Sequence, residues 1–307
     1  MSKYYTSAFD QWRYAEGRRM AGHGNPFCMP VDISGTIFIH NKKLFDDAGV
    51  PYPDGTWNWD KIVEVGGTLT KGPAGAKPDQ YGMRIQVATD MILTMLTWQN
   101  DGELFDADYT KSLMNDPKVA EIVEWQVDLI HEHKVSPVPD PAVMVDLWQT
   151  GKIAMEYDFQ WNLVAWKPIT DFVYHIAPLP IGPNGKRMTC GEADGMAVTV
   201  GTKNPDAAWK LLKWMTAPGE TGPKVLLKMG WGPVINELAY SDLYLKQEGW
   251  PANVLEAVSE AIGRLAPARR RPGLDGGVLH RHAAAARSRL ARPDDGQGGL
   301  RGGRQGR

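Results

Sequence analysis

This sequence of 307 residues has few cysteines, a small net charge and no long apolar run. Its two cysteines, Cys28 and Cys190, are too few for a disulfide framework and lack the paired spacing of a zinc site, although a single bridge between them stays open. No window approaches the length and apolarity of a transmembrane span. The formal net charge of −2 favours neither nucleic acid nor an anionic membrane as a partner.

The signatures of common enzyme classes are missing as well. The sequence has no nucleophile elbow, no Ser-His-Asp order and no phosphate-binding loop. His131 and His133 stand two apart at a predicted helix end, where their side chains diverge, and this favours surface histidines over a metal site. The sequence therefore predicts no metal and no cofactor.

The last part of the chain differs from the rest in composition. Residues 265–307 contain ten Arg and three Asp, a local charge of +7, which leaves −9 for residues 1–264. The segment has nine Gly, no Lys and no aromatic residue, so it buries too little apolar surface to offset its ordering entropy. A nucleic-acid-binding Arg/Gly tail would carry interleaved aromatics, so the composition favours a solvated or out-of-frame segment.

Aromatic and β-branched residues, in contrast, are well supplied, with twelve Trp in the chain. Within residues 30–69 they follow an ordered pattern. Residues 33–39 have the composition of a buried strand. Asn41 then opens a short helical turn that Gly49 ends, and Thr56 is the expected N-cap of a longer amphipathic helix. Residues 30–69 are therefore predicted to form a strand, a short helical turn and a helix, in that order.

The same stretch contains a specific pattern: P-V-D-x-S-G, a hydrophobic strand, x-N-K-K-L-F-x-x-A-G-V, and P-x-T-W-x-W-D at a helix start. It resembles the family 1 extracellular solute-binding proteins of ABC importers, and the sugar-binding members most of all. The resemblance implies an α/β fold of two lobes joined by hinge strands, the type II periplasmic-binding-protein arrangement, with most of the first lobe missing. It also implies an extracytoplasmic monomer that captures a mono- or oligosaccharide without chemistry and signals to permease subunits by hinge closure.

This resemblance divides the chain into segments. Residues 1–34 would be a remnant of lobe 1 leading to a hinge at residues 32–35, residues 35–182 lobe 2, and residues 183–233 a return segment of lobe 1. Residues 234–264 would be terminal helices of lobe 2, with the Arg/Gly-rich segment after them. Family members carry a secretory signal, whereas the first twenty residues lack an apolar h-region, so the chain is expected to be truncated at its front.

A second diagnostic stretch, residues 151–161, supplies the main candidate for ligand binding. A strand over residues 153–157 is predicted to turn through Asp158 and Phe159 into Trp161, where the sugar-binding family has a Trp that stacks on the sugar. An indole matches the flat apolar face of a pyranose, while the sugar hydroxyls need polar partners. The alternative is that Trp161 packs in the core.

The other candidate ligand-binding residues follow from the same comparison. Asp90, Asp158 and Glu192 are the expected hydroxyl partners, because ionised carboxylates accept strongly in a partly dry cleft. Asp32 and Trp231 are expected near the hinge. Two alternatives stay open: Asp90 as an N-cap, and Trp231 as a packing residue.

Two alternative functions remain. Glu156 and Asp158 stand two apart on a strand, so their carboxylates face one side as the paired acids of a glycosidase would. A third acid at position 161 would strengthen that hypothesis, but the chain has Trp161 there. The other alternative is a truncated gene product without activity.

The remaining elements follow from periodicity. The pattern predicts a strand over residues 81–87 and helices over residues 90–100, 117–131 and 143–150. It also predicts a strand over residues 196–200, helical structure over residues 236–264, and a helix after residue 201 with Ala208, Leu211, Leu212 and Met215 facing inward.

Overall fold

The computed structural model of the chain describes residues 3–14, 24–73, 77–87, 90–106, 110–139 and 147–255. The helices are α1 (Thr6–Asp10), α2 (Lys42–Ala48), α3 (Trp59–Leu69), α4 (Asp90–Gln99), α5 (Pro117–His131), α6 (Pro205–Thr216), α7 (Thr221–Lys228), α8 (Asn236–Ala239) and α9 (Asp242–Leu245). The strands are β1 (Arg13–Tyr14), β2 (Asn25–Pro26), β3 (Met29–Pro30), β4 (Ser34–Asn41), β5 (Met155–Phe159), β6 (Tyr174–Ala177), β7 (Gly191–Glu192) and β8 (Gly195–Met196). The Arg/Gly-rich segment lies outside the described residues.

Strand β4 is the centre of the principal sheet, and all eight of its residues are buried. It pairs antiparallel with β5 on one side and with β6 on the other, and β7 pairs with its first two residues. Two short pairs, β1 with β2 and β3 with β8, are also antiparallel. The strand predicted over residues 33–39 is therefore confirmed, with bounds one to two residues later.

The two faces of this sheet bury different cores. Phe38 of β4 and Tyr157 of β5 lie on the face covered by α3, α4 and α5. Ile37 and Ile39 lie on the opposite face, in a cluster that includes Trp148 and Trp166. Residues paired across antiparallel strands share a face, so Glu156 and Asp158, opposite Ile39 and Ile37, belong to this second face.

The structure confirms the predicted caps of α2 but not the predicted N-cap of α3. Asn41 caps α2 by accepting from the Leu44 N–H, and Gly49 ends the helix with φ of 65°. Thr56, however, is not the N-cap of α3. Its N–H and hydroxyl both donate to Asp54, at 2.7 and 2.6 Å, and Asn58 caps the helix instead by accepting from the Lys61 N–H at 2.9 Å.

Replacing the cap residue should distinguish these two positions. We expect Asn58→Ala to lower the free energy of unfolding by about 1 kcal/mol, the usual cost of losing a side-chain N-cap. Thr56→Ala removes only a bond within an exposed turn and should cost less. Urea denaturation of both variants tests the assignment, and a larger loss for Thr56→Ala would contradict it.

Several predicted strands are shorter or shifted. Residues 81–87 make isolated parallel bridges, Tyr81 with Ile153 and Arg84 with Glu156, and residues 196–200 contribute only Met196 to a strand. Strand β5 continues through Asp158 and Phe159, where a turn was predicted. The reason is tertiary, because β4 offers partners as far as Thr36, which lies opposite Phe159.

The predicted inward face of α6 is also partly wrong. Leu212 is buried and Ala208 and Met215 are partly buried, but Leu211 is 58 % exposed. Ala208, Leu212 and Thr216 are spaced four apart and form the inward stripe of the helix, and Leu211 lies outside it.

Three further predictions are only partly described. Helix α4 is present, residues 236–255 form α8, α9 and a final turn, and the rest of that predicted segment lies outside the described residues. The predicted helix over residues 143–150 is described only from residue 147, as a turn. Both cysteines are free thiols, and none of the described helices is long and apolar enough to cross a membrane.

Candidate functional site

The register of the principal sheet brings most of the predicted site residues to one end of β4. Asp158 lies in the last two residues of β5, and Glu192 of β7 pairs with Ser34 at the start of β4. Asp32 lies two residues before that start. Residues more than one hundred positions apart in the sequence therefore lie close together at the start of β4.

Trp161 lies just beyond the end of β5, in a short 3-10 helix, Gln160–Leu163. Its ring stacks on that of Phe159, with centroids 4.3 Å apart and planes 10° from parallel. Phe159 is buried, whereas Trp161 is 36 % exposed. Trp161 is thus a partly exposed aromatic side chain that is held in place by the buried Phe159 ring, and it does not pack in the core.

Glu156 and Asp158 share one buried cation. The Arg84 guanidinium lies 2.6 Å (Nε) and 3.1 Å (Nη2) from the two Glu156 carboxylate oxygens, and its Nη2 lies 2.9 Å from Asp158 Oδ2. Gln86 Nε2 also donates to Asp158 Oδ2, at 3.4 Å, and the Asn162 side chain donates to Asp158 Oδ1. Asp158 is therefore held by partners from two segments of the chain.

This geometry differs from that of a glycosidase acid pair. Glu156 has no exposed surface, and its burial raises the pKa of its carboxyl well above the usual range, while Arg84 opposes that shift. Both carboxylates contact the same guanidinium instead of flanking an open space where a sugar and a water would fit. The arrangement stabilises the fold and orients Asp158, and it offers no acid with access to a substrate.

Asp32 lies in a close approach between two distant segments. It is 8 % exposed, and its carboxylate accepts from the backbone N–H of Gly232. A Cβ at position 232 would overlap the Ile33 carbonyl oxygen, so only glycine fits there. Trp231 precedes this glycine in the chain and is partly buried.

The electrostatics of Asp32 are unusual for an aspartate. Burial raises the pKa of its carboxyl to about 7, and the charges of Asp194 and Glu192 add to the increase, while N–H groups of Gly232 and Ile33 oppose it. Glu192 itself is exposed. Three carboxylates thus stand near one another at the start of β4, and one of them takes up a proton near neutral pH.

The remaining predicted site residue, Asp90, begins α4, but its side chain lies outside what the structure describes. Its roles as hydroxyl partner or N-cap both stay predictions. Within the described residues, no group of three or more His, Cys, Asp or Glu side chains could hold a metal ion.

Sequence reasoning missed the polar residues that support Asp158: Arg84, Gln86 and Asn162. A signal for two of them existed. Arg84 and Gln86 stand two apart in a predicted strand, the same spacing as Glu156 and Asp158, and the bridge between Arg84 and Glu156 aligns the two pairs. The matching spacing favours a contact between the two pairs, but only the bridge seen in the structure shows that the two segments are neighbours.

Comparison with known families identifies the chain. The family model described as bacterial extracellular solute-binding protein matches residues 1–222. The chain belongs to this family. Among curated proteins, this solute-binding protein is 26 % identical over 230 residues to a binding protein of Brucella abortus (strain 2308), covering 72 % of this chain and 54 % of that protein. It is 23 % identical over 219 residues to the maltotriose-binding protein of Pyrococcus abyssi (strain GE5 / Orsay), covering 70 % and 45 %. The chain therefore spans about half the length of these relatives.

Solved structures confirm the fold class. An ABC substrate-binding protein from Listeria monocytogenes, in complex with cycloalternan, superposes with a TM-score of 0.73 at 24 % identity, covering 92 % of this chain and 68 % of that one. Maltose-bound MalE3 of T. maritima superposes with a TM-score of 0.65 at 19 % identity, covering 94 % and 73 %. The solute-binding protein thus has the α/β fold of type II periplasmic binding proteins. Its division into lobes and the hinge at residues 32–35 stay predictions.

Proposed function

We propose that this solute-binding protein contributes to the capture of a saccharide at the end of β4, as the substrate-binding component of an ABC importer. The observation that carries the proposal is the Trp161 ring, partly exposed and stacked on Phe159 at the end of β5. A partly exposed indole that is held in place by a neighbouring ring presents a flat apolar area, and the C–H face of a sugar ring can stack on such an area.

The polar groups around this ring suit the rest of a sugar. Asp158 is buried with its carboxylate oxygens already bonded to neighbouring side chains, so it orders the end of β5 next to Trp161 and does not itself reach the ligand. Asp32 and Glu192 contribute further carboxyl groups at the start of β4. A sugar ring stacked on Trp161 can donate a hydroxyl to the exposed Glu192 carboxylate in a charge-assisted bond, and Asp32 can accept in the same way once it is ionised.

The relatives support the ligand class. One is a maltotriose-binding protein, and solved structures with this fold hold cycloalternan, maltose and mannobiose. By analogy, the protein would act outside the cytoplasm as a monomer, and closure about residues 32–35 would present the ligand-bound form to permease subunits.

Replacing Trp161 tests the site. We expect Trp161→Ala to weaken saccharide binding by about 2 kcal/mol, roughly 30-fold in Kd, because the main stacking surface is lost. Trp161→Phe, which keeps a flat ring, should lose less. Calorimetric titration of the full chain with maltotriose and mannotriose gives the measurement.

Trp209→Ala is the matched control, since Trp209 is an exposed tryptophan of α6 far from β5 in the chain. It should leave the Kd unchanged. Equal affinities of wild type and Trp161→Ala would contradict the proposal, and so would equal losses in the two Ala variants.

A further inference from the structure

We propose a second saccharide-binding site in a groove between α3 and α5, separate from the end of β4. The α3–α5 groove has a volume of about 790 Å³. It is lined by the start of α3 and the residues just before it, by one face of α5 from Lys118 to Trp125, by Asn100, and by the turn over residues 181–185. Pockets that bind small ligands have volumes of roughly 300–1,000 Å³. Neither Trp161 nor Asp158 lines it.

The wall of the α3–α5 groove is a rigid aromatic platform. The Trp125 ring of α5 stacks on the Trp59 ring of α3, with centroids 4.3 Å apart and planes 26° from parallel. Trp59 is buried, and its Nε1 donates to Gln99 Oε1 at 3.0 Å. Gln99 is fixed in turn, because its amide donates to the Met188 carbonyl oxygen at 3.0 Å. Trp125, which is partly exposed, is therefore held by an ordered layer beneath it.

Polar side chains at the rim are ordered too. Asn100 Nδ2 donates to Glu121 Oε2 at 2.8 Å and to the Lys118 carbonyl oxygen at 3.2 Å. Lys118 Nζ lies 3.1 Å from the same Glu121 oxygen. Asp60, exposed in the first turn of α3, adds a second carboxylate. The rim thus offers acceptors and donors around one aromatic surface.

The chemistry of these groups selects the class of ligand. Since Trp59 and Trp125 stack on each other and Trp59 is buried, the pair offers a ligand the ring of Trp125 and does not enclose it in an aromatic cage, which disfavours a quaternary ammonium ion. Two carboxylates and one ammonium leave a net negative rim, which disfavours phosphate or sulfate. A neutral ring with an apolar face and hydroxyls at its edge matches both the platform and the rim. The inference rests on the groove's own residues and does not depend on the proposed site at β4.

Fluorine NMR of the full chain labelled with 5-fluorotryptophan can follow both sites at once. Trp125→Phe and Trp161→Ala assign the two resonances by their disappearance, and maltotriose and mannotriose are the probes. We expect the Trp125 resonance to shift with saturable dependence on saccharide, and to keep doing so in Trp161→Ala. The double variant Asp60→Ala/Glu121→Ala, altered only at exposed side chains, should raise the groove's Kd by about tenfold or more.

The matched control is Asp128→Ala, which removes an exposed acid of α5 that does not line the groove, and it should leave the Trp125 titration unchanged. A Trp125 resonance that stays fixed into the tens of millimolar would overturn the inference, and so would a titration unaffected by the double variant. If only the Trp161 resonance moves, saccharide binds at the end of β4 and not in the α3–α5 groove. If only the Trp125 resonance moves, saccharide binds in the groove and the proposed function at β4 fails.

Discussion

Arg84→Met should destabilise the protein by about 3–5 kcal/mol, the typical loss when one partner of a buried ion pair is removed. The Arg84 side chain is 9 % exposed, Glu156 has no exposure, and Asp158 is almost completely buried. Without the guanidinium, two carboxylates would face each other in the sheet with no cation between them. Chemical denaturation measured by circular dichroism gives the change.

The pH dependence of this variant follows from the same geometry. Arg84 lowers the pKa of Glu156 against the effect of burial, so its removal raises that pKa further. A carboxyl whose pKa is higher in the folded than in the unfolded state contributes stability at low pH and loses that contribution as pH rises. The deficit of Arg84→Met relative to wild type should therefore shrink as the solution is acidified.

A rescue variant distinguishes charge from packing. Arg84→Met/Glu156→Gln/Asp158→Asn removes all three charges and should recover most of the lost stability. Lys186→Met is the control, because the ion pair of Lys186 with Asp101, at 3.1 Å, is exposed and should contribute little. If the triple variant were no more stable than Arg84→Met, unpaired charge would not be the cause.

Asp32→Asn should stabilise the protein at pH 8 and have little effect at pH 4. In the folded protein Asp32 keeps its proton up to a pKa of about 7, whereas in the unfolded chain it ionises near its ordinary value of 3.8. Between these values the folded state binds more protons, so the free energy of unfolding falls as pH rises. At about 1.4 kcal/mol per pKa unit, the ionisation of Asp32 lowers the free energy of unfolding at pH 8 by about 4 kcal/mol.

Urea denaturation of both proteins at the two pH values isolates this contribution, since other titrating groups cancel in the comparison. The amide oxygen introduced at position 32 would still accept from the Gly232 N–H, so the close approach should survive. Glu192→Gln is the control: it leaves Asp32 ionisable and should lower its pKa, so the dependence on pH should become smaller. A difference between wild type and Asp32→Asn that is the same at pH 4 and pH 8 would contradict the assignment.

These two predictions bear on function through the same residues. Arg84 holds Asp158 at the end of β5, and Asp32 connects the start of β4 to Gly232. If the proposed saccharide site is correct, Asp32→Asn should gain stability and lose binding at pH 8, where Asp32 is ionised, because a carboxylate is a better acceptor for sugar hydroxyls than an amide is.

The local elements and the family follow from the amino-acid sequence alone. Asn41 and Gly49 specify both ends of α2 within nine residues, and the pattern over residues 30–69 identifies a solute-binding protein, because caps, turns and strand composition depend on near neighbours. Even locally, the cap of α3 was misplaced by two residues, since Thr56 and Asn58 are both good caps and only the turn at Asp54 decides between them.

The contacts that build the site, in contrast, depend on long-range packing. Arg84 meets Glu156 across 72 positions and Asp32 meets Gly232 across 200, so neither contact has a local signature. The same holds for the exposure of Leu211 and for the stacking of Trp125 on Trp59. Burial, ion pairing and carboxyl pKa values depend on what the fold brings alongside a residue, and the sequence near that residue does not contain this information.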